Sequence, residues 1–169
     1  MATPIMLITG GSRGIGAATA LLAAECGWQV AISYLGNASA ADAVVAQIQA
    51  NGGKALAVQA DVGIDDDVQR LFKTVDDKLG RLSSLVNNAG MLELQTRLDQ
   101  MDLARWQRVF SANVFGSFLC AKQAVLRMST RHGGHGGTLV NVSSAAARIG
   151  SPNEFIDYAA AKGAVDSMT

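Results

Sequence analysis

The chain has 169 residues, 49% of them hydrophobic and 17% charged, which fits one globular domain with a buried core and excludes a disordered chain. Lys plus Arg and Asp plus Glu stand at 14 each, so there is no basic footprint for nucleic acid or for an anionic membrane surface. No stretch approaches a membrane-spanning run of uninterrupted apolar residues, and the opening "MATPIMLITGG" lacks both the basic start and the apolar length of a secretion signal; a cytoplasmic protein without a membrane span is expected.

Apolar runs of strand length alternate with segments of helical period. Ile5–Thr9 reads as a first strand and Ile15–Cys26 as a helix closed by Gly27. Gln29–Tyr34 is a second strand, followed by a helix over Asn37–Ala50 that Asn51, Gly52 and Gly53 stop. Ala55–Ala60 is a third strand, Asp65–Leu79 an amphipathic helix ending at Gly80, and Leu82–Val86 a fourth strand. A loop leads to a helical region from about Asp102 to Arg131. The turn "RHGGHGG" precedes a fifth strand, Thr138–Val142, and another helix starts near Asp157.

The first three strands are nearly continuous in Val, Ile, Leu and Ala, as strands covered on both faces by helices should be. Repeated β-α units of this kind predict an α/β fold with a doubly wound, Rossmann-like parallel sheet, in one dinucleotide-binding domain over residues 1–169. Cys26 and Cys120 both fall in helical segments and read as two buried thiols in a reducing compartment, with no spacing for a disulfide or a metal pair. His132 and His135 read as parts of a mobile solvated loop, since no carboxylate or cysteine joins them; no metal site is expected. The methionines and Trp106 read as packing.

Strand, glycine turn, helix is the geometry in which a helix N-terminus meets a phosphate, because free backbone N–H groups and the positive end of the helix dipole stabilise an anion there. Gly10, Gly14 and Gly16 are the candidates for the tight turn, the close approach and the helix packing. Their spacing is not the usual G-x-G-x-x-G, so this stretch alone is a weak signal.

Four ordered motifs make it a strong one. "TGGSRGIG" (Thr9–Gly16) resembles the T-G-x-x-x-G-x-G fingerprint of the short-chain dehydrogenase/reductase family. "NNAG" (Asn87–Gly90) follows strand four, "NVSS" (Asn141–Ser144) ends strand five, and "YAAAK" (Tyr158–Lys162) fits Y-x-x-x-K at the start of the next helix. Asn113, in "SANVFG", matches the family's helix asparagine. The resemblance covers the whole chain. It implies that Gly10, Ser12, Arg13, Gly14, Ile15 and Gly16 form the cofactor turn. Asp61 and Val62 would contact the adenine, although Asp61 also reads as an N-cap near the following helix. Asn88, Ala89 and Gly90 would line the nicotinamide-side ribose.

Sites selective for NAD place an Asp or Glu about 20 residues beyond the glycines, where it bonds the ribose 2′-OH. The end of strand two, "VAISYLGN" (Val30–Asn37), carries no acid, and Arg13 sits where a guanidinium can pair with a 2′-phosphate. NADP(H) is therefore favoured over NAD(H).

Tyr158 and Lys162 are four apart on a helix and share a face. A phenol near neutrality gives up its proton reluctantly, and a neighbouring ammonium together with a helix N-terminus favours the phenolate. By resemblance, Tyr158 is the general acid in carbonyl reduction and the base in alcohol oxidation. Lys162 would hold the nicotinamide ribose, which Tyr158 also borders, and Asn113 a water that relays a proton to Lys162. Ser144 would bond the substrate oxygen, with the adjacent Ser143 as the alternative.

The chain reaches Thr169 about three turns into the helix of Tyr158 and Lys162, whereas family members continue through further strands and a substrate-covering loop. The fold is thus expected to be truncated after strand five, which becomes an exposed apolar edge. The expected function is hydride transfer between NADP(H) and a small carbonyl or secondary alcohol, with a homo-oligomer for the full-length form. The alternative is a truncated, non-catalytic nucleotide-binding or interaction protein.

Overall fold

The computed structural model describes residues 3–169. Strands β1 (Ile5–Ile8), β2 (Gln29–Tyr34), β3 (Ala55–Gln59), β4 (Ser84–Asn87) and β5 (Thr138–Asn141) form one sheet in the order β3-β2-β1-β4-β5. Every pairing is parallel, with Leu7 opposite Ala31 and Leu85, and Ile8 opposite Ile32 and Val86. Because side chains alternate along a strand, each apolar run supplies both faces at once. Leu7 and Leu85 point into one core with Val68, Phe72, Cys120 and Ala124. Ile8, Ile32 and Val86 point into the other with Ala20, Val44 and Ile48.

Helices α1 (Gly14–Glu25) and α2 (Ala38–Ala50) cover the second face; α3 (Asp65–Lys78) and α5 (Gly116–Met128) cover the first. Local chemistry sets their ends. The Asn37 side chain accepts the Ala40 N–H at 3.0 Å and caps α2. Asp65, Asp66 and Asp67 crowd the positive end of α3 and Lys78 its negative end. Val68, Leu71, Phe72 and Val75 recur at helical spacing on α3 and are all buried. Phe72 is fully enclosed, so Phe72→Ala is expected to cost about 3–5 kcal/mol, read as a lower urea midpoint at unchanged slope.

The helical region expected from Asp102 to Arg131 is three pieces: α4 (Leu103–Phe110), a π-helical turn (Ser111–Phe115) and α5, ending at Met128. Asp102 caps it by accepting the Arg105 N–H at 2.7 Å. The 26 residues Leu103–Met128 are long and apolar enough to match a membrane span by length and composition, but they form a layer of this fold, with Cys120, Ala124 and Met128 in the sheet-facing core. The short helices α6 (Ala146–Ile149) and α7 (Ile156–Ser167) complete the chain; α6 has no signal in the sequence pattern.

Three expectations change. Cys120 is buried, and burial pushes its thiol up to about 12, but Cys26 is exposed because α1 ends at Glu25 and the chain turns outward at this capping residue. Trp106 lies on the exposed side of α4 and is no core residue. The glycine turn after α5 is solvated yet tied down: Gly134 N–H donates to Ser129 O at 2.9 Å, Gly136 N–H to Met128 O at 2.8 Å, and Arg81 to Gly133 O. No cluster of metal-ligating side chains occurs among the described residues. Strand β5 is the outer strand beside β4, with Val140 half exposed.

Candidate functional site

The C-terminal end of β1 runs into a turn in which Gly10 and Gly14 hold positive φ, +64° and +55°. These are conformations that a side-chain-bearing residue adopts at a cost. A Cβ on Gly14 would meet nothing, so the backbone there faces open space, whereas one on Gly16 would stand 2.5 Å from both Asn88 Nδ2 and Gly10 O. Gly14 thus leaves room for an approaching ligand, and Gly16 lets α1 close on the loop after β4. No side chain caps α1 and no acid lies in its first turn, so its N–H groups and positive dipole end are left for an anion. Arg13 and Ile15 are exposed around this end and Ser12 is half-buried. The Arg13 guanidinium is in no ion pair among the described residues.

The turn is bonded on two sides. Ser33, buried at the end of β2, accepts the Gly10 N–H on its hydroxyl at 3.2 Å, and its carbonyl accepts the Gly11 N–H at 2.9 Å. On the other side Thr9 Oγ1 accepts the N–H groups of Asn88 at 3.0 Å and Ala89 at 2.9 Å. The Asn88 carboxamide donates back to Thr9 O at 2.8 Å and Gly10 O at 3.1 Å. Asn88 and Ala89 are therefore part of the same rigid unit as the glycine turn, and the Asn88 amide nitrogen is spent on that scaffold. Thr9 and Gly11 carry more of this assembly than their sequence suggests; a Cβ on Gly11 would strike Ile32 at 2.5 Å.

After β3, Asp61 is not the cap of α3. That position is Ile64, and the Asp61 carboxylate instead accepts the Gly63 N–H at 2.9 Å while Asp67 reaches back to the Asp61 N–H at 2.8 Å. Asp61 and Asp67 thus tie the loop before α3 to that helix's first turn. Val62 is buried beneath Gly116, where a Cβ would come within 2.7 Å of Val62 Cγ2.

Gly90, Asn113 and Lys162 converge. A Cβ on Gly90 would lie 2.6 Å from Asn113 Oδ1 and 3.7 Å from Lys162 Nζ. Asn113 sits in the π turn, fully buried; its carboxamide nitrogen donates to Met91 O and Val109 O, both at 2.9 Å, while its Oδ1 has no protein partner. An orphaned buried acceptor packed against an exposed glycine is what a bound water or ligand hydroxyl would satisfy. Lys162 is buried, donates to Val142 O at 2.7 Å, and lies 5.7 Å from the centroid of the Tyr158 ring. Burial holds its ammonium below the ordinary lysine range, with Asp166 acting in the opposite sense.

The two serines part company. Ser143 Oγ donates to the Lys162 carbonyl at 3.5 Å, whereas Ser144 Oγ accepts the Ala146 N–H at 3.2 Å. Both border an open cavity of about 420 Å³ with Arg148, Ile149 and Asp166; neither Tyr158 nor Lys162 lines it, so it adjoins the convergence of groups and does not contain it.

A buried ion pair, absent from any sequence motif, lies beside Tyr158. Arg105 Nε donates to Asp157 Oδ2 at 2.7 Å, and the same carboxylate accepts the Tyr158 N–H at 2.9 Å. The partners are 52 positions apart, so no local pattern announces them.

The family model described as short chain dehydrogenase matches residues 4–169. The chain is 50% identical to an uncharacterized oxidoreductase, YgfF, of Escherichia coli over 98% of its own length and 67% of that protein's. It is 46% identical to a 3-oxoacyl-(acyl-carrier-protein) reductase of Synechocystis over 98% of its length and 65% of that protein's. Among solved structures, acetoin dehydrogenase from Enterobacter cloacae superposes with a TM-score of 0.91 at 31% identity, over 99% of this chain and 65% of that one. The chain thus spans about two thirds of the length of these relatives.

Proposed function

Since the chain belongs to the short-chain dehydrogenase family, we propose that it supplies the cofactor site and the acid–base residues of an NADP(H)-dependent oxidoreductase acting on a carbonyl or secondary alcohol. The observation that carries this reading is the convergence of Gly90, the orphaned Asn113 Oδ1 and buried Lys162 beside Tyr158, next to an uncapped, glycine-lined helix end. The open space at Gly14 and the anion-ready end of α1 fit a pyrophosphate; Gly10, Ser12, Ile15 and Gly16 form the rest of that turn. Asp61 and Val62 would border the adenine and Asn88, Ala89 and Gly90 the nicotinamide-side ribose. The acid-free end of β2 and the unpaired Arg13 favour a 2′-phosphate.

When bound, the nicotinamide supplies or accepts the hydride. What falls to the protein is one proton and one developing charge. Tyr158 gives its phenolic proton to the carbonyl oxygen in reduction and takes it back in oxidation. Lys162 holds positive charge near the phenol, which favours the phenolate left behind, and would hold the ribose of the bound cofactor. Ser144, whose Oγ accepts the Ala146 N–H and so keeps its proton to give, donates to the substrate oxygen, whereas the Ser143 hydroxyl donates to Lys162 O. Asn113 Oδ1 holds the water through which Lys162 exchanges its proton. The substrate carries a ketone, aldehyde or alcohol at the reacting carbon, in keeping with relatives named for 3-oxoacyl and acetoin chemistry. Cytoplasmic placement and a homo-oligomer for the longer form complete the proposal.

The test is a titration of the 169-residue chain with NADPH and NADH, followed by nicotinamide fluorescence. Saturable binding at least about tenfold tighter for NADPH, near 1.4 kcal/mol, is the expected result. Absence of saturation with either dinucleotide would leave the family motifs without a working site and favour the non-catalytic alternative.

A further inference from the structure

The strip that follows the Asn88–Gly90 turn is gripped by the helical layer at three successive points. The Asn113 carboxamide donates to Met91 O at 2.9 Å, Arg108 Nε pairs with Glu93 Oε1 at 2.7 Å, and Arg105 Nη1 donates to Leu94 O at 2.6 Å. Arg105 alone also reaches the helix that carries Tyr158. Its Nε and Nη2 donate to the two oxygens of Asp157 at 2.7 and 3.3 Å, a fork on one carboxylate. Asp157 in turn accepts the Tyr158 N–H, at a helix start where Phe155 provides no side-chain cap. Downstream, Thr96 N–H donates to Glu154 O at 3.0 Å, so the same two segments are joined a second time two residues on.

Stability alone does not account for this arrangement. Both side chains are almost wholly withdrawn from water, 8% and 1% exposed. A buried pair of this kind commonly gives no net stabilisation over packed apolar side chains of similar size. What it does supply is geometry: a planar fork fixes the angle between α4 and the first turn of α7, and the third guanidinium bond fixes the loop against both. Asn113 lies on the same helical run as Arg105, which begins at Leu103, and Tyr158 is the residue after Asp157, so the pair ties the segment of Asn113 to the start of the Tyr158 helix.

We infer that Arg105 and Asp157 form a positioning clamp that holds the Met91–Leu94 strip and the start of the Tyr158 helix in register, and so aims the phenol. This rests on the reading of Tyr158 as the proton donor and adds to it two residues that touch neither cofactor nor substrate. Asp157 stays ionised in this clamp. Burial opposes its charge, but Arg105 and the Tyr158 N–H outweigh that and keep the carboxyl below its ordinary value.

The experiment compares the chain with Arg105→Met/Asp157→Leu, which removes both charges at similar bulk, and with Arg105→Lys, which keeps the charge without the fork. Hydrogen exchange is read first. Amides of residues 94–96 and of Tyr158 should exchange about tenfold faster or more in the double variant while those of Leu7 and Val86 hold their protection; wild-type exchange at both segments would overturn the clamp. NADPH affinity should stay within about twofold, and kcat for reduction of a small ketone should fall about 10–100-fold with KM little moved. Arg105→Lys should recover part of that kcat. Faster exchange with unchanged kcat would make the pair merely structural and end its positioning role. Should the double variant fail to fold, Asp157→Asn, which keeps an acceptor for the Tyr158 N–H, takes its place in both measurements. A chain that binds NADPH but turns over no ketone would count against the proposed activity and the positioning role that rests on it, whereas wild-type exchange at both segments would overturn the clamp whatever the activity.

Discussion

Tyr158→Phe is expected to lower kcat for carbonyl reduction by about 10²–10⁴-fold, the usual worth of a positioned general acid, while NADPH affinity stays within about twofold. The substitution removes one oxygen and nothing else. The ring packs with Val109, Val114 and Ala161, contacts that phenylalanine keeps, and among the described residues the one hydrogen bond of Tyr158 outside the helix ladder is made by its backbone N–H, to Asp157. Steady-state kinetics beside a fluorescence titration separates the two effects. Turnover unchanged by the loss of the hydroxyl would remove Tyr158 from the acid–base role. A parallel collapse of NADPH binding would point instead to a structural part for the phenol. Lys162→Met is the contrasting case: Lys162 Nζ stands beside Gly90 and bonds Val142 O, so its loss should disturb cofactor binding as well as turnover.

The sheet was legible because the first three strands are nearly continuous apolar runs and several of the helices between strands carry clear stop or cap residues. Asn37 at one end of α2 and the Asn51–Gly53 stop at the other bracket it without help from the rest of the chain. Right-handed crossovers between parallel strands allow more than one order, and β3-β2-β1-β4-β5 is the one that the family resemblance implies and the fold adopts. The π turn at Ser111–Phe115 was not legible. It adds no residue type that a plain helix would refuse, and its cause is tertiary: Asn113 must bond Met91 O and Val109 O together.

The site divides in the same way. The glycine turn, Asn88–Gly90, Asn113, Ser144, Tyr158 and Lys162 stand in short motifs, and the structure brings Gly90, Asn113 and Lys162 to one place. The support beneath them is non-local. Thr9 matters because its hydroxyl accepts two N–H groups some 80 residues downstream, and Arg105 because its carboxylate partner is on α7. Cys26 shows the converse error: its place in a helical segment suggested burial, but α1 buries only a narrow face through Gly16, Ala20 and Ala23, and the cysteine lies beyond the helix end.

Arg13→Glu is expected to weaken NADPH by about 10²-fold or more and NADH by no more than about threefold. Hydrogen bonds from a guanidinium to a charged partner contribute about 1.5–3 kcal/mol, roughly a 10–100-fold effect, and a carboxylate in the same place adds repulsion toward a 2′-phosphate. NADH carries a hydroxyl there and feels neither term. The fold should not respond: Arg13 is exposed, its side chain makes no capping bond, and its backbone is extended, with φ −158°, a conformation glutamate adopts freely. The new carboxylate does lie at the positive end of α1, where it gains some stability of its own and competes with the pyrophosphate, which is why a small loss is allowed for NADH. Arg13→Ala removes the pairing without the repulsion and should fall between wild type and the reversal for NADPH alone. Fluorescence titrations of the three chains with both dinucleotides, repeated at raised salt, check the assignment, since screening should narrow the gap between NADPH and NADH in the wild type. Equal losses for the two dinucleotides would detach Arg13 from the 2′-phosphate and leave the acid-free end of β2 as the sole basis for choosing NADP(H).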